Sequence, residues 1–201
     1  MKAYMKDVAP FLGIGADDRR RSLRSTWVTL PTPASEELGD GARALMALPE
    51  REFHYAAYDL IDRFRVVVDE YFLDGHVTEL LVAKPWWDTV DGLVTAAVSP
   101  MCREFDAEWL VEEWSASDDR WLIRAAITHQ RGWKDQTDIS YVLDLCDRHW
   151  DNDEFFIAKA IGWALRDITR IDGPAVRRFL ARHSNANRVA VREAERGLSR
   201  N

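Results

Sequence analysis

A recurrence at intervals of 34, 35 and 34 residues constrains this chain more than any other feature. Phe53-xxx-Ala57-xxx-Ile61, Trp87-xxx-Asp91-xxx-Thr95, Leu122-xxx-Ala126-xxx-Gln130 and Phe156-xxx-Ala160-xxx-Ala164 align, with middle positions 57, 91, 126 and 160. A large apolar residue opens each unit, and in three of the four a small one follows four residues later. That period suits a helical hairpin in which a small residue sits where neighbouring helices approach closely. Stacked hairpins predict an all-α, HEAT-like solenoid with a concave inner face.

The local pattern agrees with the period. Apolar residues recur at three- and four-residue spacing in 53–64 (Phe53, Ala56, Ala57, Leu60, Ile61, Phe64), in 121–127 and in 155–165, which predicts helices there. Breakers fall between them at Leu30-Pro31-Thr32-Pro33, Ser99-Pro100, Ser115 to Asp119 and Asp151 to Asp153. With 201 residues, the expectation is one repeat domain over 1–201, enough for a substantial core. Met1 to Gly13 lacks the basic-then-apolar layout of a secretory signal, so a cytoplasmic protein is expected. Cys102 and Cys146 alone are too few for a disulfide framework, and five scattered histidines offer no metal-ligand spacing. No metal or cofactor is expected.

The net charge of −7 argues against a polyanion partner when taken whole, but the charge is unevenly distributed. Residues 155–201 hold ten Lys/Arg against four Asp/Glu, a surplus of six positive charges, while 1–154 hold seventeen against thirty. A basic C-terminal quarter on an acidic body fits one face meeting a nucleic acid. It equally fits acidic outer faces that serve solubility.

The second unit breaks the repeat's own rule. Asp91 stands where the other units carry Ala57, Ala126 and Ala160, within Lys84-Pro85-Trp86-Trp87-Asp88-Thr89-Val90-Asp91. A carboxylate in a position otherwise kept small and apolar is costly unless paired or functional. Trp87 lies four residues earlier, on the same helical face. A structural reading remains open beside the functional one: Asp88 caps a helix, Asp91 favours its dipole, and the tryptophans are core. Further on, Arg120, Arg124 and Arg131 approach one stripe, and Lys159, Trp163, Arg166 and Arg170 follow at i, i+4, i+7 and i+11. Cations with an interleaved indole suit a phosphodeoxyribose backbone, and equally a solvated face.

Several ordered blocks resemble the AlkD-like DNA alkylation repair family. Lys2-Ala3-Tyr4-Met5-Lys6, Phe11-Leu12-Gly13-Ile14 and Pro49-Glu50-Arg51-Glu52-Phe53 are similar to its opening. Trp86 to Asp91, Trp121 to Ala126, Glu154 to Ile157 and Ile161 to Arg166 are similar to its later blocks. The resemblance implies a HEAT-like cradle for double-stranded DNA. It implies a glycosylase, acting as a monomer, that releases cationic N3- or N7-alkylated purines without burying the base in a pocket. On this resemblance Asp91 is the catalytic carboxylate, Trp87 and Trp163 pack on the deoxyribose at the lesion, and Arg124 holds an adjacent phosphate. By their spacing and charge, rather than by the resemblance, Lys159 and Arg166 are expected to extend the DNA-binding face, with Arg188 and Arg192 of the basic C-terminal segment beyond. Asp17-Asp18 before Arg19-Arg20-Arg21 depart from the family's proline turn, and the acidic total is unusual for a DNA enzyme. A non-catalytic module for branched or distorted DNA and a protein-interaction scaffold are the competing readings, and neither needs the Asp91 carboxylate.

Overall fold

A computed structural model describes residues 4–183 and 187–200; Lys2 and Ala3 of the opening block lie outside the described residues. Among those described there is no strand, so the chain is all-α. It divides into two compact units, Met1–Met101 and Cys102–Asn201.

The first unit contains α1 (Ala16–Trp27), α2 (Ser35–Ala47) and α3 (Arg51–Phe64). Next, α4 (Glu70–Phe72) runs through a π-turn at Leu73–Val77 into α5 (Thr78–Ala83). After a short turn, α6 (Trp87–Leu93) continues through a second π-turn at Val94–Val98 into α7 (Ser99–Glu104), in which the division falls. The expected break at Ser99-Pro100 is therefore absent, and the helix continues through it. Proline lacks the N–H that would reach back to the carbonyl of residue 96. That carbonyl instead accepts from Arg65 Nη1 at 3.4 Å, so the lost bond is replaced from another helix.

The start of α3 is tied to the residues before α1. Glu52, 4% exposed, accepts the backbone N–H groups of Leu12, Gly13 and Ile14 at 3.0, 2.8 and 3.2 Å. Burial opposes ionisation of this carboxyl, yet the three N–H donors hold it below its ordinary value. Part of the basic run at Arg19–Arg21 is structural. Arg19 is buried, donates twice to Asp59 at 3.0 and 2.9 Å, and lies over the Tyr55 ring.

The second unit contains α8 (Glu108–Ser115), α9 (Arg120–Thr128), α10 (Ile139–Arg148), α11 (Phe155–Arg182) and α12 (Arg188–Leu198). Side-chain caps set several starts: Asp119 accepts from Trp121 and Leu122, Asp138 from Tyr141, and Asn187 from Ala190. Inside α11 the backbone leaves helical geometry at Asp172, just before Gly173-Pro174. Asp172 Oδ1 then accepts the Ala175 N–H at 2.9 Å and restarts the helix. Ile123, Ile127, Val142, Cys146, Ile157, Ile161, Leu165 and Phe179 pack into one core. Gly162 lets α12 approach α11: a Cβ there would lie 2.7 Å from Glu193 Cβ and 3.1 Å from Ala190 Cα.

The repeat is visible in these elements. The helices carrying its four segments begin at Arg51, Trp87, Arg120 and Phe155, each preceded by a partner helix. Ala57, Ala126 and Ala160 are all 0% exposed, as close helix contacts require. Asp91, at the matching position of α6, is only half-buried.

Candidate nucleic-acid interface

In the first unit, Trp87 opens α6 and Asp91 stands one turn later on the same face. Both are half-buried, so each keeps part of its side chain accessible. Tyr4, largely exposed, meets the Trp87 indole edge-on at 6.1 Å. Behind Asp91 the helix widens: Thr95 Oγ1 donates to the Asp91 carbonyl at 2.8 Å, and the π-turn begins at Val94. Such turns often accompany functional positions in helices. Asp88 does not cap α6. It pairs with Arg51 of α3 at 2.5 Å, while the Trp86 N–H is met by Thr89 Oγ1 at 3.3 Å.

In the second unit, the cations gather around Trp163. The guanidinium carbons of Arg124, Arg131 and Arg166 lie 4.9, 5.1 and 6.0 Å from its ring centre. An indole face attracts each of them, which offsets part of their mutual repulsion. Their exposure differs. Arg124 is 1% exposed and donates to the Phe156 carbonyl at 2.7 Å, whereas Arg131 is exposed. The spacing of Arg120, Arg124 and Arg131 suggested one stripe, yet Arg120 turns to Glu154 and the Trp121 ring instead.

Lys159 and Arg166 are engaged internally. Glu193 of α12, 2% exposed, accepts from Lys159 at 2.8 Å, Arg166 at 3.1 Å and Arg196 at 2.8 Å. Desolvation works against this carboxylate, but the cations hold it below its ordinary value. Three of the ten cations in 155–201 therefore share one buried carboxylate of the same segment. Arg177, Arg182, Arg188 and Arg192 are exposed. A cavity of about 710 Å³ opens beside Trp163, lined by Arg131, Lys134, Arg166 and Arg170 together with the carboxylates of Asp135 and Asp167, the latter paired with Arg170 at 3.3 Å. Sequence spacing grouped Arg131 with Arg124 as a candidate backbone contact; its proximity to Trp163 spans a turn and two helices, which periodicity cannot show.

A half-buried carboxylate behind an indole and a cationic aromatic cluster are the parts a DNA-processing protein would need. The model of the family described as DNA alkylation repair enzyme matches residues 1–198. The chain belongs to that family. A solved structure of a predicted DNA alkylation repair enzyme from Enterococcus faecalis is 26% identical, with a TM-score of 0.84 over 96% of this chain and 91% of that one. AlkD2 from Streptococcus mutans is 16% identical, with a TM-score of 0.68 over 96% and 93%, and shares the fold. No functionally curated protein matches the chain. Membership in the family supports a DNA repair role and makes DNA the partner.

Proposed function

We propose that this DNA repair protein is a glycosylase that hydrolyses the N-glycosidic bond of cationic N3- or N7-alkylated purines in duplex DNA. The observation that carries this reading is the half-buried Asp91, one turn after Trp87, in a repeat position where the sibling helices hold fully buried alanines. A packing role favours alanine there, so the carboxylate asks for a chemical explanation.

The substrate makes an economical mechanism sufficient. Alkylation at N3 or N7 puts positive charge on the purine, which then departs neutral without an acid from the protein. As C1′–N9 breaks, its electron pair leaves with the base and the deoxyribose gains oxocarbenium character. Asp91 faces that developing charge with a fixed negative one. Water then adds to C1′, and the Asp91 carboxylate accepts its proton. Trp87 and Trp163 pack on the sugar-phosphate backbone. In the second unit, Arg124, from beneath Trp163, adds positive potential toward a backbone phosphate, and Lys159 and Arg166 extend that field. No step requires the base to enter a pocket, so substituents on it are not excluded by size.

The test is incubation of the protein with a duplex carrying one N7-methylguanine or N3-methyladenine, followed by chromatography of released base. The reading expects the free alkylpurine and an abasic site. Binding of the duplex without release would favour a non-catalytic DNA module, and absence of both would favour a scaffold.

A further inference from the structure

The face of α3 turned toward α6 consists of Arg51, Tyr55 and Tyr58, spaced i, i+4 and i+7. Arg51, 2% exposed, places all five of its N–H groups. Nε donates to Asp88 Oδ2 at 3.3 Å, and Nη2 to Asp88 Oδ1 at 2.5 Å and Thr89 Oγ1 at 3.0 Å. Nη1 donates to the Lys84 carbonyl at 3.1 Å and to His54 Nδ1 at 3.2 Å. His54 carries its proton on Nε2 in this arrangement and donates it to the Leu48 carbonyl at 2.8 Å. The Tyr55 hydroxyl donates to Asp88 Oδ2 as well. Burial, and then the Asp88 carboxylate, push this phenol above its ordinary value, so it stays protonated as the donor. One turn further, Tyr58 covers Gly92 so closely that a Cβ there would lie 2.3 Å from its ring.

These contacts join the end of α5, at Lys84, to the first turn of α6. They grip α6 along the Asp88–Gly92 stripe. The Trp87–Asp91 stripe lies about 100° around the same helix, where both residues are half-buried. A buried Arg–Asp pair is weak evidence for stability, because apolar residues of similar volume often serve as well. Its directional bonds, however, fix one rotation and one height of the helix they hold.

We infer that Arg51 and Tyr55, acting through Asp88, are positioning residues that set Trp87 and Asp91 for the reaction. This role rests on the glycosylase reading given above. The clamp holds α6 where the Asp91 carboxylate meets C1′, and a shift of about 1 Å there can cost up to 10²-fold in rate.

The decisive variant is Tyr55→Phe, which keeps the ring and removes only the hydroxyl. Single-turnover excision of N7-methylguanine, lesion-duplex affinity and the melting curve are measured for wild type, Tyr55→Phe, Asp91→Asn and the double variant. Asp88→Asn, of unchanged shape, gives an independent reading should Tyr55→Phe fold poorly. The excision rate of Tyr55→Phe falls on the order of ten-fold at unchanged affinity. In the Asp91→Asn background the same change costs clearly less, because one of the two groups it positions has lost its charge. Wild-type excision by folded Tyr55→Phe and Asp88→Asn, beside an inactive Asp91→Asn, overturns the positioning role and leaves the glycosylase reading intact. An equal loss in both backgrounds also overturns it. If wild-type protein binds the duplex and releases no base, the glycosylase reading fails and takes this role with it.

Discussion

Glu193→Gln separates the structural from the DNA-facing use of the basic C-terminal segment. The carboxylate is 2% exposed and receives three cations at 2.8, 3.1 and 2.8 Å. Hydrogen bonds to charged groups contribute about 1.5–3 kcal/mol each. The partners are 23%, 30% and 54% exposed, so solvent screening reduces the sum substantially. Glutamine keeps one acceptor and turns an amide donor toward a cation. A net loss of about 2 kcal/mol follows, or a fall of about 4–8 °C in melting temperature for a chain of this size. Duplex binding should move the other way. Lys159 and Arg166 lose their internal counter-ion, and each phosphate they then reach adds about 0.9 to the magnitude of the slope of log affinity against log salt. The assay is fluorescence anisotropy with an unmodified duplex from 50 to 200 mM salt, at a temperature where both proteins are folded. Glu193 also predicts a pH effect. Its folded pKa is depressed, so its stabilisation is present above the ordinary carboxyl value and is lost as pH falls through the folded one. The melting difference between wild type and variant should shrink in acid. Unchanged or weaker DNA binding by the folded variant refutes the assignment of Lys159 and Arg166 to the DNA face.

Arg131→Ala should weaken duplex binding and reduce the salt slope by about one contact at little cost in stability, as anisotropy and melting curves will show. Arg124→Ala should weaken binding and also lower the melting temperature, because its side chain is 1% exposed and bonded to Phe156. Burial pushes His129 down to about 4, below its unfolded value. The unfolded chain therefore binds the extra proton between those values, and stability is full above pH 6.5 and declines as pH falls toward 4. Urea unfolding at pH 7.5 and 5.0 should show a loss of about 2 kcal/mol that shrinks in His129→Gln.

The repeat was legible because hairpin stacking imposes a period on the sequence. Ala57, Ala126 and Ala160 mark buried helix contacts, and the helices that carry the four segments start at Arg51, Trp87, Arg120 and Phe155, within two residues of the same period. Asp91 was legible as the exception to that rule. The partners of charged side chains were not, since they depend on packing across tens of residues. Asp88 reads locally as a cap, but a guanidinium 37 positions earlier claims it. Lys159 and Arg166 read as a phosphate-facing stripe until α12 brings Glu193 onto them. Arg51, Tyr55 and Tyr58 do share helical spacing, but nothing in the sequence says which neighbour that face meets. Ser99-Pro100 misled for a related reason: the bond proline cannot make is supplied to Ala96 by Arg65, from outside the local sequence.

The central claim is that Asp91 performs chemistry rather than holding the fold. Its most direct test is single-turnover release of N7-methylguanine from duplex DNA by wild type and by Asp91→Asn, which keeps the shape and removes the charge. The account predicts a rate lower by about 10²–10³, as for loss of a preorganised electrostatic contact, with DNA affinity and melting temperature retained. Release by the variant at the wild-type rate would contradict it.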